Sequence, residues 1–166
     1  MKQIFESERI RFVELSELLI PDYLVMVNDM ERVQRFIGPL HEPFTEEDEV
    51  RWVHERLAEK AQVFSMLEKS GGAFIGNIEL TDLHDGEGEL GVAITAAKQD
   101  RGYGTEAVSA LVAYAFGALG LERIILRVRP HNARAIRVYE SCGFREVRRT
   151  DEHICMEIVR SKEEQP

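Results

Sequence analysis

The chain has 166 residues, 44% hydrophobic and 31% charged, which suits one folded domain with a buried core and argues against disorder. Its 30 acidic side chains outnumber 21 lysines and arginines, for a formal net charge of −9, an unfavourable balance for gripping nucleic-acid phosphates. The opening "MKQIFESERIRF" is too charged for a signal peptide, and no apolar run approaches the roughly 20 residues of a membrane span, so a cytoplasmic protein without nucleic-acid or membrane partners is expected.

In chain order, "RIRFVEL" alternates and reads as a first strand. Residues 21–37 read as a broken helix, entered at Pro21 and ended by Gly38-Pro39. Thr45 is a helix N-cap, and the acidic run Glu46, Glu47, Asp48 and Glu49 suits the positive end of that helix. This run is expected to be a solvated helix start, with the helix continuing through Trp52, Val53, Leu57 and Ala61. "VFSMLE", "AFIGNIEL" and "EGELGVAI" then read as strands, and the short joints "KSGG" and "LHDGEG" make them antiparallel hairpins. A helix follows over 102–119, with Val108, Leu111, Val112, Ala115 and Leu119 as its buried stripe. "RIILRV" is a buried strand, residues 132–142 a second helix closed by Gly143, and "FREVRRT" and "HICMEIV" a final strand pair. The order β-α-α-β-β-β-α-β-α-β-β makes an α/β domain around a mixed sheet over residues 1–160, with 161–166 ("SKEEQP") a frayed polar tail.

Gly102-Tyr103-Gly104-Thr105-Glu106-Ala107 stands at the start of a predicted helix. Glycines at a helix start let backbone N–H groups approach an anion, so this segment predicts a pyrophosphate site. The spacing also satisfies a loose nicotinamide fingerprint, with Glu122 about 20 residues on. Antiparallel hairpins before the motif, and the position of Glu122 ahead of its strand, argue against that fold. Cys142 and Cys155 form no metal or redox pair, the five histidines show no ligand spacing, and no metal is expected.

With Gln99 upstream, the pattern is Q-x-x-G-x-G; Asn132, Tyr139 and Gly143-Phe144 follow downstream. In "FIGNIEL", "GELGVAITAAKQDRGYGTEAV" and "LERIILRVRPHNARAIRVYESCGF" the sequence resembles the GNAT acyltransferases, most of all their ribosomal-protein N-terminal and spermidine acetyltransferase branch. The resemblance spans about residues 8–160 and is specific over 74–145. It implies a single domain whose mostly antiparallel sheet contains a splayed strand pair flanked by helices, with acetyl-CoA as co-substrate. The amides of Gly102, Tyr103, Gly104 and Thr105 would then hold the pyrophosphate, and the backbone of Ala93, Ile94 and Thr95 the pantetheine arm. Gln99, Asn132 and the cations Lys98, Arg101 and Arg134 fall near the phosphate end, although each cation reads equally well as surface charge.

Tyr139 matches the family's general acid, and also lies on an apolar helix stripe where it would serve as core. A serine that some relatives carry three residues after the asparagine is here Ala135. For the base, alternation puts Ile75, Asn77 and Glu79 on one face of their strand, and Glu89, Gly91, Ala93 and Thr95 on a small-residue face of the next. Either Glu89 or Glu79 is the candidate. Tyr23, Phe36, Phe44 and Trp52 read as core, and the resemblance implies an acceptor pocket formed by the N-terminal helices, which some of them would line. The implied activity is N-acetyl transfer to a primary amine, either a small molecule or a protein N-terminus, by an enzyme that dimerises in many relatives. A catalytically silent acyl-CoA-binding module is the alternative.

Overall fold

The computed structural model describes residues 1–38 and 41–161; Pro39 and all but the first residue of the expected tail lie outside them. Eight strands form one sheet: β1 (Gln3–Glu6), β2 (Ile10–Glu14), β3 (Gln62–Glu68), β4 (Phe74–His84), β5 (Glu87–Ile94), β6 (Arg123–Val128), β7 (Arg145–Arg149) and β8 (Ile154–Val159). Their spatial order is β1-β2-β3-β4-β5-β6-β8-β7, and every neighbouring pair except β5–β6 is antiparallel. The β4–β5 hairpin turns on Asp85 and Gly86, both at positive φ (46° and 77°), the conformation that favours Asp-Gly.

Helices α1 (Ile20–Val27) and α3 (Glu46–Ala58) cover one face, with the short α2 (Arg35–Ile37) between them in the chain burying none of its residues; α4 (Tyr103–Gly117) and α5 (Ala133–Ser141) cover the other. The α4/α5 layer packs Ala107, Val108, Leu111 and Ala115 on Ile78, Leu80 and Ile124, all buried. The opposite layer packs Tyr23, Met26 and Val53 on Val63, Leu67 and Phe74. Truncating one such buried aliphatic side chain to Ala costs about 2–5 kcal/mol. None of the described helices is long and apolar enough to cross a membrane.

Several expectations need correction. The sheet begins with β1, which the sequence reading missed. Four residues are too few for a clear alternation signal, and the strand is fixed by tertiary stacking of Phe5 on Phe12 and on Tyr114, with ring centroids 4.2 and 4.3 Å apart. The break in residues 21–37 is a wide π turn over Met30–Gln34. Thr45 caps α3 with a reciprocal capping box to Asp48, but α3 stops at Ala58, where Lys60 adopts φ 54°, so Ala61 is not helical. Likewise α4 ends at Gly117, leaving Leu119 beyond it.

A bulge near the start of β4 turns Ile75 into the α4/α5 layer and Phe74 into the opposite one, so Ile75 does not share a face with Asn77 and Glu79. At this bulge a Cβ on Gly76 would lie 2.0 Å from the Ala93 carbonyl oxygen, which is why the position in "FIGNIEL" must be glycine.

Candidate active site

The parallel pairing of β5 with β6 is confined to Glu87–Glu89 against Arg123–Ile125. Beyond it β5 continues to Ile94 along β4, while β6 continues to Val128 along β8. The two strands therefore splay, and a cleft of 1180 Å³ opens between them. Backbone groups point alternately to the two edges of a strand. Thr95 N–H donates to the Ile75 carbonyl on the β4 side at 2.9 Å, so Ile94 and Val92 N–H face the opposite edge, into the splay. Unpaired strand edges of this kind need partners. Of the three backbone positions expected to meet a pantetheine arm, Ala93 and Ile94 line the cleft, whereas Thr95 is buried outside its wall.

The N-terminus of α4 opens into the same cleft. Gly102 is its N-cap, at φ 82°, and among the described residues no side chain caps the helix. The N–H groups of its first turn are thus available to an anion, with the helix dipole behind them. A Cβ on Gly104 would meet only Val138 methyls, 3.7 and 3.8 Å away. The glycine is therefore not demanded by packing, and it leaves open space on the cleft wall. A diphosphate fits this donor set. Glu122, by contrast, is exposed outside the wall and takes its place beside Gly86 in the β4–β5 turn. Its spacing from the glycines is therefore coincidental.

The structure shows why glutamine precedes the glycines. Gln99 Nε2 donates to the Ile94 carbonyl (2.9 Å) and to the Arg32 carbonyl (3.0 Å), and Gln99 Oε1 accepts from Arg32 Nε (3.1 Å) and from Arg134 Nη1. It ties the end of β5, the π turn and α5 together. Asp100 binds the same two arginines, at 3.3 Å to Arg32 and 3.6 Å to Arg134. Lys98 is paired with Glu68 at 2.7 Å. Arg101 is exposed and does not line the cleft. Asn132 caps α5 by accepting from Ala135 N–H (3.2 Å) and lines the wall.

Tyr139 projects from α5 into the wall, packed against Phe144, and no hydrogen-bond partner for its hydroxyl is found among the described residues. Burial, and secondarily Cys142, push its phenol up to about 12, so it stays protonated across the physiological range. Glu79 and Glu89 reach the cleft from β4 and β5. Glu89 is paired with Arg127 at 3.2 Å. Glu79 lies over Gly91, in the space a Cβ there would approach. Its carboxyl is raised above the ordinary range, first by desolvation, with Arg56 opposing and Glu89 adding to the shift. A carboxylate raised in this way is a better base.

The acidic start of α3 is not wholly solvated. Glu49 is 6% exposed and lines the cleft, its carboxyl raised by desolvation and then by Asp48. Tyr23, Phe44 and Trp52 line the cleft with Glu49, Tyr23 and Trp52 edge to face at 5.9 Å, and Phe36 lines it beside His131. Arg32, Glu49 and Arg127 were thus missed in the sequence, where nothing separates them from other surface charges.

The family model for the acetyltransferase (GNAT) domain matches residues 9–145, and the chain belongs to that family. Among curated relatives, the uncharacterized N-acetyltransferase YnaD of Bacillus subtilis (strain 168) is 32% identical over 104 residues, 61% of this chain and 61% of the relative. A spermidine N(1)-acetyltransferase of Vibrio cholerae is 27% identical over 106 residues, 62% of this chain and 61% of the relative. The matched region thus spans about three fifths of each relative's length. Among solved structures, a GNAT-family acetyltransferase from Bacillus anthracis superposes with a TM-score of 0.81 at 22% identity, covering 93% of this chain and 96% of that one. A spermidine N-acetyltransferase from Vibrio cholerae in complex with CoA and spermine gives 0.78 at 19%, covering 91% and 95%. At these identities the likeness is one of fold.

Proposed function

We propose that this chain is an acetyl-CoA-dependent N-acetyltransferase acting on a primary amine by direct attack, with residues 1–160 as the catalytic domain. The observation that carries the reading is the convergence of two unsatisfied backbone surfaces in one cleft: the uncapped start of α4 and the open edge of β5. The first suits a diphosphate and the second an amide-bearing arm. The amides of residues 102–105 would hold the pyrophosphate. The β5 edge would orient the arm, with Ile94 N–H as the donor available to the developing oxyanion. Asn132 lines the same cleft, and Arg134 is held beside the turn by Gln99 and Asp100.

Glu79 takes a proton from the substrate ammonium, directly or through one water, and the neutral amine attacks the thioester carbonyl, the second nitrogen proton passing to solvent as the amide forms. Tyr139 Oη gives a proton to the departing thiolate and recovers one from solvent. Glu89, neutralised in part by Arg127, is the weaker candidate for the base. The acceptor end combines the buried carboxyl of Glu49 with aromatic walls, which favours a cationic amine carrying apolar surface. The relation to spermidine acetyltransferases supports a small-molecule amine over a protein N-terminus.

The test is twofold. CoA should raise the melting temperature of the protein, and pools of small amines should release free thiol from acetyl-CoA in its presence. Stabilisation by NAD(H) but not by CoA would refute the reading. CoA binding without thiol release from any amine would favour the silent binding module.

A further inference from the structure

The phosphate turn is held from behind by a residue outside the cleft. Arg9, in the turn between β1 and β2, reaches residue 101 and the first turn of α4 through three side-chain contacts. Its Nη1 donates to the Arg101 carbonyl (3.1 Å), and its Nε donates to Glu106 Oε1 (2.7 Å). Its guanidinium carbon lies 4.3 Å from the centre of the Tyr103 ring, and its Nη2 lies 3.3 Å from where a Gly102 Cβ would stand. Glu106, in the first turn of α4, is fixed further by Ser7 Oγ (2.6 Å) and the Arg9 backbone N–H (2.7 Å).

The bond to the Arg101 carbonyl has a geometric consequence. In a trans peptide the C=O and the following N–H point in opposite directions. A donor that holds Arg101 C=O on the Arg9 side therefore turns Gly102 N–H the other way. Gly102 lines the cleft and Arg9 does not. A glycine at φ 82° has little preference of its own, so something else must set this peptide plane.

We propose that Arg9 is a positioning residue for diphosphate recognition. Clamped by Glu106, it orients the 101–102 peptide so that the start of α4 presents its N–H groups as a preformed anion site. The inference rests on the function proposed above. It concerns the diphosphate alone, since the open edge of β5 is built by other strands.

The test compares CoA with pantetheine, which carries the arm but no diphosphate. Calorimetric affinities are measured for the native protein, Arg9→Met and Arg9→Lys, with turnover at saturating acetyl-CoA. Methionine keeps an apolar stem over Tyr103 and removes the fork; lysine keeps the charge but cannot serve both Glu106 and the Arg101 carbonyl in one plane. CoA affinity should fall about tenfold in Arg9→Met and less in Arg9→Lys, with pantetheine affinity and saturated turnover unchanged. Native CoA affinity in both folded variants overturns the inference. So does equal weakening of both ligands, which would mark a purely structural residue. If Arg9→Met does not fold, the CoA-to-pantetheine affinity ratio of Arg9→Lys decides alone. Failure of the native protein to bind CoA would remove the proposed function as well.

Discussion

Gly104→Val separates a glycine kept for packing from one kept for a ligand. Gly104 is the second residue of α4 and does not adopt positive φ, so an L-residue fits its backbone. Its Cβ would make ordinary contacts with Val138 at 3.7 and 3.8 Å. Valine is a better helix former than glycine by a few tenths of a kcal/mol, so the unliganded stability should change by less than about 0.5 kcal/mol. For a domain of this size that is a melting shift of roughly 1–2 °C.

The valine methyls, however, add bulk to a position that lines the cleft beside Val138, next to the amides expected to hold the diphosphate. Native protein in CoA at 100 times its dissociation constant gains about 2.7 kcal/mol. A 100-fold weaker variant at the same concentration retains only RT ln 2, about 0.4 kcal/mol. Scanning fluorimetry with and without CoA reads both numbers in one experiment. Gly104→Ala, a smaller intrusion, should fall between. A valine variant that keeps the native CoA shift would show that the diphosphate does not lie on this turn. One that unfolds without ligand would show that the glycine serves packing.

Other expectations follow from the same geometry. Tyr139→Phe should lower turnover while CoA affinity survives, and unchanged turnover would remove the phenol from the chemistry. Because burial raises the phenol from 10.0 to about 12, its protonated form favours folding most below pH 10, and this contribution is lost as pH rises through 12. Alkaline denaturation of the native protein should therefore show a component over pH 10–12 that the Phe variant lacks. Glu79→Gln should cost about 10²-fold or more in turnover and abolish the acid limb of the rate profile. The raised carboxyl favours folding below its unfolded value near 4.5, and that benefit is lost as pH rises through its higher folded value. The Gln variant should accordingly gain stability at neutral pH, read by urea titration at pH 4 and pH 7. Gly76→Ala places a Cβ 2.0 Å from a backbone oxygen, which no side-chain rotation relieves. A loss of about 1–3 kcal/mol or more is expected from the urea midpoint.

Much of the fold was legible because its signals are local. The Asp-Gly turn, the Thr45 cap and the stripe of α4 from Val108 to Ala115 each depend on a few neighbouring residues, and these appear where the sequence places them. The errors fall where distant contacts decide. β1 is held by aromatic stacking across the core, and the bulge at Ile75 exchanges faces that strict alternation keeps apart. Glu49 reads like its three acidic neighbours, yet helical phase turns it into a half-enclosed cleft.

The glycine-rich helix start and its fitness for a diphosphate belong to the sequence, since backbone freedom and a helix terminus are properties of a short segment. Which groups surround that segment does not. The parting of β5 from β6, Gln99's grip on the Arg32 carbonyl, the meeting of Glu79 with the wall that carries Tyr139, and Arg9 behind the turn join residues as many as 99 positions apart, as in the Ser7–Glu106 bond. Only the packed sheet brings such pairs within hydrogen-bond reach, because contacts between distant residues leave no period in the chain.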